Sequence, residues 1–135
     1  MRPSHIEHIG IAVTDLSAAI ALFEKVLGQA CYNIEEVTDQ KVKTAFFKVG
    51  QTKIELLQST DPEGPIGKFI EKKGEGIHHI AFAVTDIENN LEEASSSGIK
   101  LIDSKPRKGT EGLDIAFLHP KSTNGVLIEL CEAKK

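Results

Sequence analysis

Two histidines and two glutamates stand at matching places in the two halves of this chain. His8 and His79 are 71 residues apart (79 − 8), and Glu55 and Glu129 are 74 apart (129 − 55). Each histidine opens a run of small and branched residues that closes on Thr-Asp: His8-Ile9-Gly10-Ile11-Ala12-Val13-Thr14-Asp15, then His79-Ile80-Ala81-Phe82-Ala83-Val84-Thr85-Asp86. Each glutamate sits between an isoleucine and a leucine. Two imidazoles and two carboxylates form a donor set for a divalent transition metal such as zinc, cobalt, nickel, manganese or iron. Carboxylates on apolar strands beside histidines are costly without a cation or a donor. Taken singly, each residue is ordinary. A histidine can open a strand half-exposed, and a glutamate alternating with Ile and Leu commonly lies on a solvent face. The paired recurrence of all four is what suggests a site.

The elements that must position these residues follow from periodicity. His5 to Val13 alternates as a strand, with His8, Gly10 and Ala12 on one face and Ile9, Ile11 and Val13 on a core face. Asp15 caps a helix carrying Leu16, Ile20, Phe23, Val26 and Leu27, stopped by Gly28. Strands are expected over 30–37, 42–49 and 52–58, the last with Lys53, Glu55 and Leu57 opposite Ile54 and Leu56. Asp61-Pro62-Glu63-Gly64-Pro65 is turn chemistry, and Pro65 opens a short helix through Phe69 and Ile70. The order then repeats. A strand covers 77–84, a helix from Asp86 places Ile87, Leu91 and Ala94 inward up to Gly98, and strands follow at 100–102, 113–118 and 126–131. Residues 103–110 are expected as a loop and 119–125 as a turn. His78 and His5 fall off the ligand face by strand parity, and His119 sits in the turn, so all three are expected to be structural.

Composition bounds the possibilities. A chain of 135 residues suits one domain, and a repeat of about 70 suggests half-modules at about 5–60 and 76–132, joined by a linker at about 61–75. The fold expected is α+β: two βαβββ modules in tandem forming a cupped mixed sheet with helices outside. No apolar run is long enough to span a bilayer and no signal-peptide pattern opens the chain. Cys31 and Cys131 are expected as reduced thiols in a cytoplasmic protein. The net charge of −4 speaks against nucleic-acid binding.

These residues together resemble the vicinal oxygen chelate (glyoxalase-like) superfamily and, within it, the methylmalonyl-CoA epimerases. The resemblance is carried by the opening strand, by Gly76-Ile77-His78-His79-Ile80, by Phe117-Leu118-His119-Pro120-Lys121 and by Gly125-Val126-Leu127-Ile128-Glu129-Leu130. It implies metal ligands at His8, His79 and Glu129, a fourth at Glu55, a cobalt or similar divalent ion in the cup (zinc, nickel or manganese as substitutes), and a homodimer. It implies epimerisation of methylmalonyl-CoA, a step of propionate metabolism, through an enolate, with Glu129 as one acid/base group. Part of the family carries a glutamate where this chain has Thr44. The second acid/base is therefore open among Glu55, a metal-bound water and the Glu35-Glu36 pair, the latter expected at the surface. Lys105, Arg107, Lys108 and Lys121 are candidates for the coenzyme A phosphates, with Lys121 the substrate-binding choice because its turn belongs to the resemblance. The rival activity is a glyoxalase I-type lyase. The rival class is a non-catalytic small-molecule binding protein of the same fold, and an extradiol dioxygenase stands further off.

Overall fold

The computed structural model describes residues 2–133. It is α+β, with eight strands of mixed direction and three α-helices. In chain order these are β1 (His5–Ala12), α1 (Leu16–Leu27), β2 (Asn33–Val37), β3 (Val42–Val49), β4 (Thr52–Ser59), α2 (Pro65–Lys73), β5 (Gly76–Ala83), α3 (Ile87–Ser96), β6 (Arg107–Lys108), β7 (Leu113–Leu118) and β8 (Ile128–Ala133). The chain divides into two compact units, residues 9–78 and residues 1–8 with 79–135.

In the unit of residues 9–78 the strands run β2-β3-β4-β1, with β2-β3 and β3-β4 antiparallel. Asp15 is extended, and its carboxylate accepts from the Ala18 N–H at 3.1 Å. That satisfies one of the donors a helix start leaves open. Gly28 ends α1 with φ +64°, a left-handed turn that glycine takes without penalty. Leu16, Ile20, Phe23 and Leu27 form the stripe that packs on Ala45, Phe47 and Leu56. Burying a side chain such as Phe47 contributes roughly 1.5–3 kcal/mol. Val26, expected in that stripe, is exposed, because 3.6-residue winding carries it past the edge of the contact. The opposite face of this sheet holds Val37, Val42 and Leu57 under Ile66, Phe69 and Ile70 of α2. Further along the same face lie Glu35, Thr44, Phe46, Lys53 and Glu55, as the register dictates: Glu35 faces Thr44, Thr44 faces Leu57, and Phe46 faces Glu55.

In the other unit the order is β1-β5-β8-β7-β6, with β5 parallel to β8 and β7 antiparallel to it. Ile87, Leu91 and Ala94 of α3 pack on Val84, Ala116, Leu118 and Leu130. The internal repeat extends to the caps. Gln58 at the end of β4 accepts from the Leu16 N–H at 2.6 Å, and Glu132 at the end of β8 accepts from the N–H groups of Asp86 and Ile87 at 2.7 and 2.9 Å. In each half the last strand thus holds the start of the helix that follows the first strand.

Three expectations fail locally. Residues 100–102 make no strand, only an isolated bridge between Leu101 and Leu118. The Asp103 carboxylate takes the Phe117 N–H at 2.9 Å, which leaves no ladder to continue. The expected loop 103–110 contains the short β6, paired through Arg107–Ile115 and Lys108–Asp114. The last strand begins at Ile128, not Val126, because Val126 closes the preceding turn with both of its backbone groups. Its N–H donates to the Thr123 carbonyl at 3.1 Å, and its carbonyl accepts from the Thr123 hydroxyl at 2.7 Å.

Candidate metal centre

His8, near the middle of β1, His79 of β5 and Glu129 of β8 meet in the unit of residues 1–8 and 79–135. All three are buried. Strand parity brings them there: β5 and β8 are in parallel register with Ala81 opposite Glu129, so His79 and Glu129 occupy one face two residues out of step. The two Nε2 atoms are 3.0 Å apart, and the rings stand edge-on at 89° with centroids 5.1 Å apart. Glu129 Oε1 lies 3.2 Å from His79 Nε2, and Oε2 lies 3.5 Å from His8 Nε2. The Phe117 ring meets the edge of His79 at 5.7 Å and fixes its plane.

These separations fit a cation. Ligands bonded at about 2.1 Å lie about 3.0 Å apart when adjacent in an octahedron and about 3.4 Å apart in a tetrahedron. The outer contacts agree. Glu7 Oε1 is 2.5 Å from His8 Nδ1, so Nδ1–H donates outward and the Nε2 lone pair turns inward. The Cys131 thiol donates to Glu129 Oε2 at 2.9 Å. Burial pushes the Glu129 carboxyl up. With the imidazoles protonated and no metal bound, the hydrogen bond from His8, the charges of His8 and His79, and the thiol together outweigh burial and hold it at about 2, against an ordinary 4.5. The carboxylate is therefore ionised whenever the centre carries positive charge. Two neutral imidazoles and one carboxylate against a divalent ion leave a single positive charge.

Glu55 belongs to the unit of residues 9–78, where it is buried on β4, on the face it shares with Thr44, Phe46 and Lys53. His78 turns away from the ligand face and packs edge-on against Phe69, centroids 4.9 Å apart. His5 contacts Ser4 Oγ, and His119 caps its own turn by accepting from the Lys121 N–H at 3.0 Å. The Lys121 side chain is exposed on that turn. Arg107 pairs with Asp103 at 3.1 Å and lies over the Phe117 ring, and Lys108 pairs with Asp114 at 3.3 Å. Both basic groups of β6 are thus committed to neighbouring acids. Cys31 and Cys131 are free thiols.

Sequence reasoning missed Glu7, Cys131, Lys53 and the placement of Glu35. Cys131 and Lys53 were findable, since each lies two residues from a candidate ligand and shares its face. Glu7 was not, because its side chain reaches back to the adjacent residue and parity says nothing of that. Glu35, expected at the surface with Glu36, is half-buried on the face of Thr44; Glu36 is exposed.

Residues 7–117 match the Glyoxalase/Bleomycin resistance protein/Dioxygenase superfamily. The chain is 45% identical to the uncharacterized protein YqjC of Bacillus subtilis (strain 168), over 97% of this chain and 94% of that one. It is 36% identical to the mitochondrial methylmalonyl-CoA epimerase of Dictyostelium discoideum, over 94% of this chain and 77% of that one. It superposes with a TM-score of 0.94 on a variant of Streptomyces coelicolor methylmalonyl-CoA epimerase in complex with 2-nitronate-propionyl-CoA. That protein is 35% identical, with 98% of this chain and 96% of that one covered. By sequence and by fold alike, this chain belongs to the Glyoxalase/Bleomycin resistance protein/Dioxygenase superfamily.

Proposed function

We propose that this chain epimerises methylmalonyl-CoA, removing the proton α to the thioester to form an enolate and returning a proton to the opposite face. The observation that carries the reading is the buried convergence of His8 Nε2 and His79 Nε2, 3.0 Å apart, with the Glu129 carboxylate, whose two oxygens lie 3.5 and 3.2 Å from them respectively. Removing a proton α to a thioester places charge on its oxygen, and positive charge fixed beside that oxygen lowers the barrier. A divalent ion, cobalt first, with zinc, nickel or manganese as substitutes, supplies Lewis-acid polarisation when bound. His8, His79 and Glu129 would hold it. Glu55 is the fourth donor on the strength of the internal repeat. Glu129 is one proton-carrying group, working through an exchangeable carboxylate oxygen. Burial of the site keeps bulk water from the carbanion. Lys121, exposed and cationic, receives a phosphate of coenzyme A. The resemblance adds a homodimer working in the cytoplasm.

The test follows the α-carbon by NMR in deuterated water with purified protein of known metal content. The expected result is interconversion of the two epimers, deuterium entering at the α-position, and one metal ion per chain. His79→Ala should lose the ion and slow turnover by at least about a hundredfold. If the metal-loaded protein leaves both epimers untouched but consumes the methylglyoxal–glutathione adduct, the lyase reading replaces this one.

A further inference from the structure

Independently of the epimerase reading, and from residues 9–78 alone, we infer that the outer face of α1 is where two copies of this chain meet. Each α1 lies antiparallel to the α1 of the second copy across a two-fold axis. The internal repeat supplies the comparison. Shifted by the 71 residues that relate His8 to His79 (79 − 8), α1 falls on α3. Their inward positions correspond: Leu16 with Ile87, Ile20 with Leu91 and Phe23 with Ala94, each packed on its own sheet. The outward positions do not correspond. On α3 they are Glu88, Asn89, Glu92, Glu93 and Ser96, an ordinary solvated face. On α1 the same positions are Ser17, Ala18, Ala21, Leu22 and Lys25, with Val26 beside them, and all are exposed. Leu22 is 56% exposed and Val26 66%. Single exposed apolar residues are normal on any surface, but a helix face with one charge along its whole length marks a contact.

That face has the chemistry of a surface that fits itself. In an antiparallel pair centred between Ala21 and Leu22, Leu22 lies on the second copy's Ala21, and Val26 lies on its Ser17. Large side chains thus meet small ones, and the two axes can approach to about 8–10 Å. Lys25 is the one charge on the face and makes no ion pair among the described residues. In the antiparallel pair it lies beside the second copy's Ala18, three residues or about 4.5 Å along the axis from that copy's Asp15. The symmetry makes this contact twice, each time with a cation against a carboxylate. A parallel pair would set Lys25 against Lys25. A helix of 12 residues, about 18 Å long, covers less than the roughly 800 Å² per partner of a standard interface. Ile34 and Val49 widen the patch, at 49% and 46% exposure. Ile34 is paired with Ala45, and Val49 is two residues on from Phe47; Ala45 and Phe47 both pack under α1. A patch of this size gives reversible association.

Sedimentation equilibrium of the intact chain from about 1 to 100 µM tests this, a range suited to micromolar dissociation constants. The expected result is a monomer–dimer equilibrium. Leu22→Glu should weaken association at least about a hundredfold, because it presses a carboxylate onto an apolar contact. Lys25→Glu should weaken it about tenfold in low salt, because acid then faces the second copy's Asp15. Glu92→Lys, at the α3 position matching Ala21, should leave association unchanged. Urea unfolding of each variant verifies that the chain still folds. Ala21→Cys, beside the axis, should join two copies through a disulfide on mild oxidation, which requires Cα atoms within about 7 Å. Wild-type protein, with its own Cys31 and Cys131, is the control for that cross-link. If Leu22→Glu fails to fold, the cross-link decides alone. Wild-type protein that stays monomeric throughout overturns the inference. So does a dimer unchanged by Leu22→Glu, a dimer that Ala21→Cys does not lock, or a loss with Glu92→Lys equal to that with Leu22→Glu.

Discussion

Glu7 prepares His8 as a candidate metal ligand by taking the proton-bearing nitrogen and leaving the other bare. Glu7→Gln keeps the contact and weakens the ring's basicity; Glu7→Ala frees the ring to rotate. Metal affinity, read by competition with a chelator, is expected to fall by about 10–100-fold for the alanine variant and by less for the glutamine. Glu129 makes a second prediction, with a definite sign. Its folded pKa of about 2 lies below the ordinary 4.5, so the stabilisation is present above pH 4.5 and drains away as pH falls toward 2. Metal-free wild-type protein should therefore lose resistance to urea steadily across that range, while Glu129→Gln loses less over the same range. At this scale the sequence revealed His8, His79 and Glu129 because strand parity is a period of two and both halves repeat it. It hid Glu7, whose contact depends on a rotamer, and it hid the inward turn of Glu35, which depends on pairing between β2 and β3.

Strands and helices were legible to the extent that their patterns were long and unbroken. β3 and β7 have the expected bounds, and α1 runs between an Asp cap and a Gly stop. β6 was invisible because two residues, Arg107 and Lys108, carry no period. The start of β8 was misplaced because Val126 looks like a strand residue yet spends its hydrogen bonds on Thr123. Gly67 in α2 gives a test that runs against helix propensity. Alanine usually stabilises a helix interior by roughly 0.5–1 kcal/mol relative to glycine. Here a Cβ would meet the Pro62 carbonyl oxygen at 2.6 Å and its carbonyl carbon at 2.9 Å, backbone atoms that cannot move aside cheaply. Gly67→Ala is expected to destabilise by about 1 kcal/mol or more in urea unfolding. The matched caps offer another test. Gln58→Ala and Glu132→Ala should each cost about 1 kcal/mol, and the two losses should add, since each cap serves a different helix.

The whole chain is held by a division that does not follow its order. Residues 1–8 belong with residues 79–135, and His8 is their contribution to the candidate centre. A bound cation would therefore fasten the first strand to the last part of the chain. Chelation is expected to lower the melting temperature, and added metal to raise it with concentration, as for any ligand held by the folded state alone. The tandem repeat made the two-module plan readable from one sequence. It could not reveal that the first strand's opening residues pass to the other unit, because both copies of the phrase look alike and only the pairing of the strands tells them apart.

That division has a consequence for synthesis. His8 leaves the ribosome early, and Glu129 follows 121 residues later (129 − 8). At translation speeds of about 5–20 residues per second, the gap is roughly 6–24 seconds. For that interval the His8 imidazole lacks its full set of partners, since His79 follows it by 71 residues and Glu129 comes only at the end. A metal held by these three side chains would then be settled only after Glu129 emerges, by exchange among the ions then available, and not by the first one to arrive.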